Sequence, residues 1–166
     1  MKLPLIFALL LFAASHLYGQ IGQTGQATST IFGKPLGSPH NSGPLKIATY
    51  RTSAFEIIVA YKGDKAVYLI YQNNGGKDWT YDQVMEVLNS NSPGGKGDWQ
   101  KTDGSVHDEY SSNAKTWKTK MNGIVSLQFQ DNKTIRAEFH PESKALVIWD
   151  SSSGLDAAAI LGQNAL

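Results

Sequence analysis

The chain has 166 residues, with 15 Lys plus Arg against 14 Asp plus Glu, and no cysteine. That length fits one domain of ordinary size, and the near-neutral balance gives no electrostatic basis for nucleic acid or an anionic membrane as the main partner. The missing cysteine excludes a disulfide framework, a thiolate nucleophile, a Cys-ligated metal and a lipid-attachment cysteine, so stability has to come from a packed core.

Met1 and Lys2 make a short positive start, Leu3 to Ala14 (LPLIFALLLFAA) an apolar run, and Ser15 to Gly19 a more polar stretch with small residues. This is the three-part layout of a secretory signal, expected over residues 1–19, with cleavage after Gly19 or after Ser15. The apolar run falls well short of the ~20 residues needed to span a bilayer, and no second run follows, so the mature chain is expected to be secreted or periplasmic, without an integral membrane segment. Removing residues 1–19 takes Lys2 away and balances the mature chain at a formal charge of zero.

Residues 20–44 (QIGQTGQATSTIFGKPLGSPHNSGP) are dominated by Gly, Ser, Thr, Gln and Pro, with few apolar residues and no sustained period. Such a composition predicts a flexible linker. The folded domain is expected over residues 45–152. Within it, Ala54 to Tyr61 (AFEIIVAY) and Lys65 to Gln72 (KAVYLIYQ) are aliphatic and aromatic runs joined by Lys62-Gly63-Asp64, the pattern of a hairpin. Both faces of that hairpin are apolar, which places it centrally with something packed on each side. A short strand around Ile47 to Arg51 is expected before it.

A helix start follows at Trp79 to Val84. Thr80 can cap, Gln83 can return the bond as in a capping box, and Trp79 and Val84 are spaced as a hydrophobic staple. Val84, Val87 and Leu88 then form a stripe for packing on a sheet. After a glycine-rich segment, residues 100–114 read as a long loop. Lys115 to Met121 and Ile124 to Gln130 alternate as strands around Asn122-Gly123, a strong two-residue hairpin signal. Thr134 to His140 and Ala145 to Asp150 continue the meander, and residues 153–166 form a tail or short helix. Strands and helix are segregated, so the expected class is α+β, with an antiparallel sheet of about seven strands and a single main helix packed on it.

The chemistry-bearing residues are few. His107-Asp108-Glu109 is the densest group of proton-transfer or metal-binding side chains, although adjacent residues in an extended segment point to opposite sides, and no metal-binding spacing accompanies them. No Gly-x-Ser-x-Gly elbow is present, and Gly75-Gly76-Lys77 and Gly94-Gly95-Lys96-Gly97 lack the spacing of a phosphate loop. No cofactor is implied. The two glycine turns share a continuation into Asp78-Trp79 and Asp98-Trp99, which would deliver one Trp to each end of the helix. Trp79, Trp99, Trp117 and Tyr110 are the candidate ligand-binding aromatics, because planar rings beside Asp, Asn, Gln and Lys can stack on a sugar or anchor a protein partner. Core packing competes for Trp79, Trp117 and Trp149, which leaves Trp99 as the ring expected to be exposed. Lys115, Lys118 and Lys120 read as protection of a strand edge.

These features lead to the expectation of an exported, non-catalytic domain that binds an unidentified ligand or protein partner. A structural or assembly role in the cell envelope is the alternative, as is an enzyme or metal-binding protein built on His107, Asp108 and Glu109.

Overall fold

The computed structural model describes residues 21–92, 98–111 and 116–163, without the side chains of 111, 116–118 and 163. The expected signal segment lies outside the described residues. A helix, α1 (Gly25–Phe32), precedes a four-strand meander: β1 (His40–Ser42), β2 (Leu45–Arg51), β3 (Phe55–Lys62) and β4 (Lys65–Asn73). Helix α2 (Tyr81–Ser90) then carries the chain to the far edge of the sheet. There β5 (Trp99–Ser111), β6 (Thr116–Phe129), β7 (Ile135–His140) and β8 (Ala145–Asp150) lead back until β8 pairs with β4. The result is one antiparallel sheet in the order β1-β2-β3-β4-β8-β7-β6-β5, and a 3₁₀ turn at Ser151–Ser153 leads into α3 (Ala157–Gln163). The fold is therefore α+β with a single antiparallel sheet, of eight strands where about seven are expected. Among the described residues no helix is long and apolar enough to cross a membrane.

The central strands are apolar on both faces because both are covered. One face, with Val59, Leu69, Leu127, Phe129, Leu146 and Ile148 at its centre, packs against Val84, Val87 and Leu88 of α2. The other, with Ala60, Tyr68, Ile70, Val147 and Trp149, packs against Ala157 and Ile160 of α3. Helix α2 starts as its sequence predicts. The Thr80 hydroxyl accepts from the Gln83 amide, the Gln83 side chain accepts from the Thr80 amide, and Trp79 and Val84 are both buried.

Three segments differ from expectation. Within residues 20–44, read as linker, α1 lies against the sheet and His40–Ser42 form β1: Thr24 caps the helix, Thr28 is fully buried, and Ile21 and Phe32 pack on the core. Backbone pairing of Gly22 and Gln23 with Ala66 fixes the approach. Two apolar anchors and a borrowed strand edge supply an order that composition does not reveal.

Of residues 100–114, read as loop, those up to Ser111 belong to β5, and 112–114 lie outside the described residues. An edge strand pairs on one side only, and its polar residues 101–103 and 107–110 remain exposed, so it needs no alternating apolar pattern.

Asn122-Gly123 does not turn the chain. It lies inside the continuous strand β6, where the register slips from Asp103↔Ser126 to Ser105↔Asn122. Gly104, at φ 93°, sits against this bulge so closely that a Cβ would lie 2.4 Å from the Ile124 carbonyl oxygen. Glycine there permits both the backbone angle and the approach.

Candidate functional site

Between the start of α2, the middle of β6 and the β7–β8 turn lies a cleft of about 590 Å³, lined by Asp78, Trp79, Thr80, Asp82, Thr119, Lys120, Met121, Phe139, Pro141 and Lys144. This volume is in the range of ligand-binding cavities, roughly 300–1,000 Å³. Its apolar wall is built by packing. The Trp79 ring stacks on Phe55 at 5.1 Å and 22° and tilts against Phe139 at 6.0 Å. Met121, half-buried, packs on the same core.

The rim is ionic. The Lys144 ammonium lies 2.9 Å from Asp78 and donates to the Gly76 carbonyl at 2.9 Å, while the Lys144 carbonyl accepts the Trp79 indole N–H at 2.8 Å. Hydrogen bonding and charge from Lys144 hold the Asp78 carboxyl below the usual carboxylate range. Lys120 lies 3.7 Å from Glu109 across the β5–β6 ladder. The Thr119 hydroxyl donates to Asp108 at 2.7 Å, and Asp82 stands in the first turn of α2.

Of the aromatics singled out by sequence, Trp79 lines this cleft and Trp99 does not. Trp99, expected to be exposed, is only 8% accessible. Its indole N–H donates to the Leu88 carbonyl and the Ser92 hydroxyl, and its ring packs on Phe129. The two Trp residues thus bracket α2, one at each end. Tyr110 is 51% exposed on β5, outside the cleft lining. Trp117 pairs with Tyr110 in the strand register, and its side chain lies outside the described residues.

His107, Asp108 and Glu109 are exposed on β5 rather than in a loop, and their neighbours are separate: Asn122 at 3.5 Å from His107, Thr119 for Asp108, and Lys120 for Glu109. Among the described residues no group of three or more His, Asp or Glu side chains is arranged to share an ion. His140 instead contacts Glu138 at 3.1 Å, and Glu138 also accepts from Ser126.

Sequence reasoning misses Asp78, Asp82, Thr119, Met121, Phe139 and Lys144 as members of one site. The only local signal is the Asp78-Trp79 pair, since the other walls arrive through strand order.

A second cleft of about 260 Å³ lies beside α1, bordered by Ser29, Lys46, Tyr50, Tyr61 and Asp64. The Tyr50 and Tyr61 hydroxyls are 3.1 Å apart, and burial pushes the Tyr61 phenol above its ordinary value.

No known protein family has a model that matches this chain, and no curated protein matches its sequence. Among solved structures the chain is similar to a cysteine-rich secretory protein from Staphylococcus aureus, at a TM-score of 0.38 and 13% identity over 81% of this chain. The match spans 46% of that protein, less than half its length, and the likeness is too slight to carry an argument.

Proposed function

We propose that this chain is an exported, non-catalytic domain that binds a ligand or partner segment outside the cytoplasm, and that the binding site is the cleft between α2 and β6. The observation that carries the reading is the cleft itself. It joins a packed apolar wall of Trp79, Phe139 and Met121 to a rim holding both carboxylates and ammonium groups. Such a combination gives area to desolvate and a few fixed polar groups to orient what enters. Export rests on the signal-like residues 1–19.

The test is a titration of the protein with soluble envelope glycans and with short peptides, followed by tryptophan emission and calorimetry. Binding that perturbs emission is expected to vanish in Thr119→Arg, whose long side chain fills the cleft from a half-buried strand position without touching the core. Binding that persists unchanged in Thr119→Arg, with the variant as stable as the parent, would place the ligand elsewhere.

A further inference from the structure

β6 outruns the strand beside it. It extends from Thr116 to Phe129, yet β7 pairs with it only from Val125 to Gln128. β7 ends at His140 because Pro141 follows, and proline has no N–H to continue a ladder. At the same level the bulge around Asn122–Ile124 bends β6. Past that point β6 pairs with β5 alone, through Met121↔Val106, Lys120↔His107 and Thr119↔Asp108. Successive residues of an antiparallel strand direct their backbone groups to alternate sides. Residues 119–123 therefore have a second edge, and no strand lies against it among the described residues. This stretch of β6 lines the cleft through Thr119, Lys120 and Met121, together with Trp79, Phe139 and Pro141.

We propose that the cleft accepts an extended peptide of a partner protein as an added strand, collinear with β7 and hydrogen-bonded to the free edge of residues 119–123. This inference rests on the reading of the cleft as the binding site and names its ligand class. Backbone donors and acceptors repeated at strand spacing match another extended backbone, and alternate side chains of that backbone would meet the Trp79 and Phe139 wall. Charge refines the choice. Lys144 is paired with Asp78 and Lys120 with Glu109, whereas Asp82 has no ion-pair partner among the described residues. The added strand therefore carries a Lys or Arg next to its apolar residue. The other sheet edges are poorer templates: β1 is three residues long, and β5 carries a glycine-centred bulge and exposed Asp103, Asp108 and Glu109.

The test pans a random heptapeptide display library against the whole chain, then measures amide hydrogen exchange with the enriched peptide as a synthetic probe. Enriched peptides are expected to alternate apolar residues with Lys or Arg and to slow exchange within residues 119–123. Asp82→Asn is expected to weaken the peptide about twofold to fivefold, as for a partly exposed ion pair. An enriched peptide that leaves exchange at 119–123 unchanged overturns strand addition. So does a glycan that perturbs Trp79 emission while no peptide competes with it, although the cleft then remains the binding site. If neither peptides nor glycans act in a manner sensitive to Thr119→Arg, both readings fall.

Discussion

Trp79 donates its indole N–H to the carbonyl of Lys144 at 2.8 Å, and the ammonium of the same lysine returns to Asp78, the residue before Trp79, at 2.9 Å. One residue of the β7–β8 turn thus clasps the entry to α2 from both its backbone and its side chain. Lys144 does so at φ 51°, the only described residue other than glycine with positive φ. The left-handed angle aims its carbonyl at the indole while the side chain reaches the rim of the cleft.

The two roles separate by substitution. Lys144→Gly keeps the carbonyl and relieves the left-handed strain, whereas Lys144→Ala keeps the strain, and both lose the pair with Asp78. Glycine is expected to be more stable than alanine here by about 1 kcal/mol, read from urea midpoints. In both variants the Asp78 carboxyl should return toward its ordinary range, followed by carbon NMR. Because that group is depressed in the fold, its contribution is present above the ordinary Asp range and is lost as pH falls through the folded value.

Trp99 closes the other end of α2. Trp99→Phe keeps a ring near Phe129 but removes the donor shared by the buried Leu88 carbonyl and Ser92 hydroxyl, which still bond each other, the carbonyl also accepting from the Asn91 amide. The expected cost is that of a lost hydrogen bond, about 0.5–1.5 kcal/mol by thermal or urea unfolding. The same variant checks the emission spectrum: Trp99 is buried, so its removal should take away blue-shifted, acrylamide-protected intensity. Loss of red-shifted, readily quenched intensity would contradict its burial.

How far the sequence leads depends on the range of the interaction. Helix α2 is legible residue by residue, because a capping box and a staple act over three to five positions. The β3–β4 hairpin is legible because two apolar faces force central burial. β5 is not, since an exposed edge strand needs no apolar period, and Asn122-Gly123 misleads because its turn preference is overridden by pairing on either side of Gly104, Ser105 with Asn122 and Asp103 with Ser126. The cleft is least legible. Residues near 80, 120 and 140 meet only because β8 and β7 are inserted between β4 and β6.

The segment before β1 gives a direct comparison of composition with packing. The Phe32 ring lies 5.7 Å from that of Tyr50 and 6.3 Å from that of Tyr71. Phe32→Ala is expected to cost about 1–3 kcal/mol, less than a fully buried ring because Phe32 is only partly covered. An unattached linker would show no change in the unfolding midpoint.

Alkaline pH should unfold the protein through its buried phenols. Tyr71 is buried and donates to the Asn91 side chain at 3.1 Å, and burial raises its phenol above the ordinary value, as it does for Tyr61. A raised acid remains neutral in the fold after it has ionised in the unfolded chain. Its stabilising contribution is therefore complete below about pH 10 and declines as pH rises toward the folded value. Tyr71→Phe should be less stable near neutrality by about 0.5–1.5 kcal/mol, from the lost hydrogen bond. Its stability should fall less steeply than the parent's above pH 10, and Tyr61→Phe in addition should flatten the slope further. Parallel slopes for parent and variants would show that these phenols are not the alkaline trigger.

The bulge that releases β6 from β7 depends on Gly104. Its φ of 93° and the 2.4 Å approach that a Cβ would make to the Ile124 carbonyl oxygen leave room for hydrogen alone. Gly104→Ala is expected to destabilise by about 2–4 kcal/mol, from the backbone angle and the clash together. Gly123 is also at positive φ, but a Cβ there would meet nothing within 4 Å, so its change to Ala should cost only the angle, about 1 kcal/mol. The contrast separates close packing from backbone preference. Equal losses at the two sites would mean that β5 and β6 do not cross this closely. If Gly104→Ala also speeds amide exchange across residues 119–123 more than in the core strands, the bulge is what holds the free edge of β6 in position along the cleft.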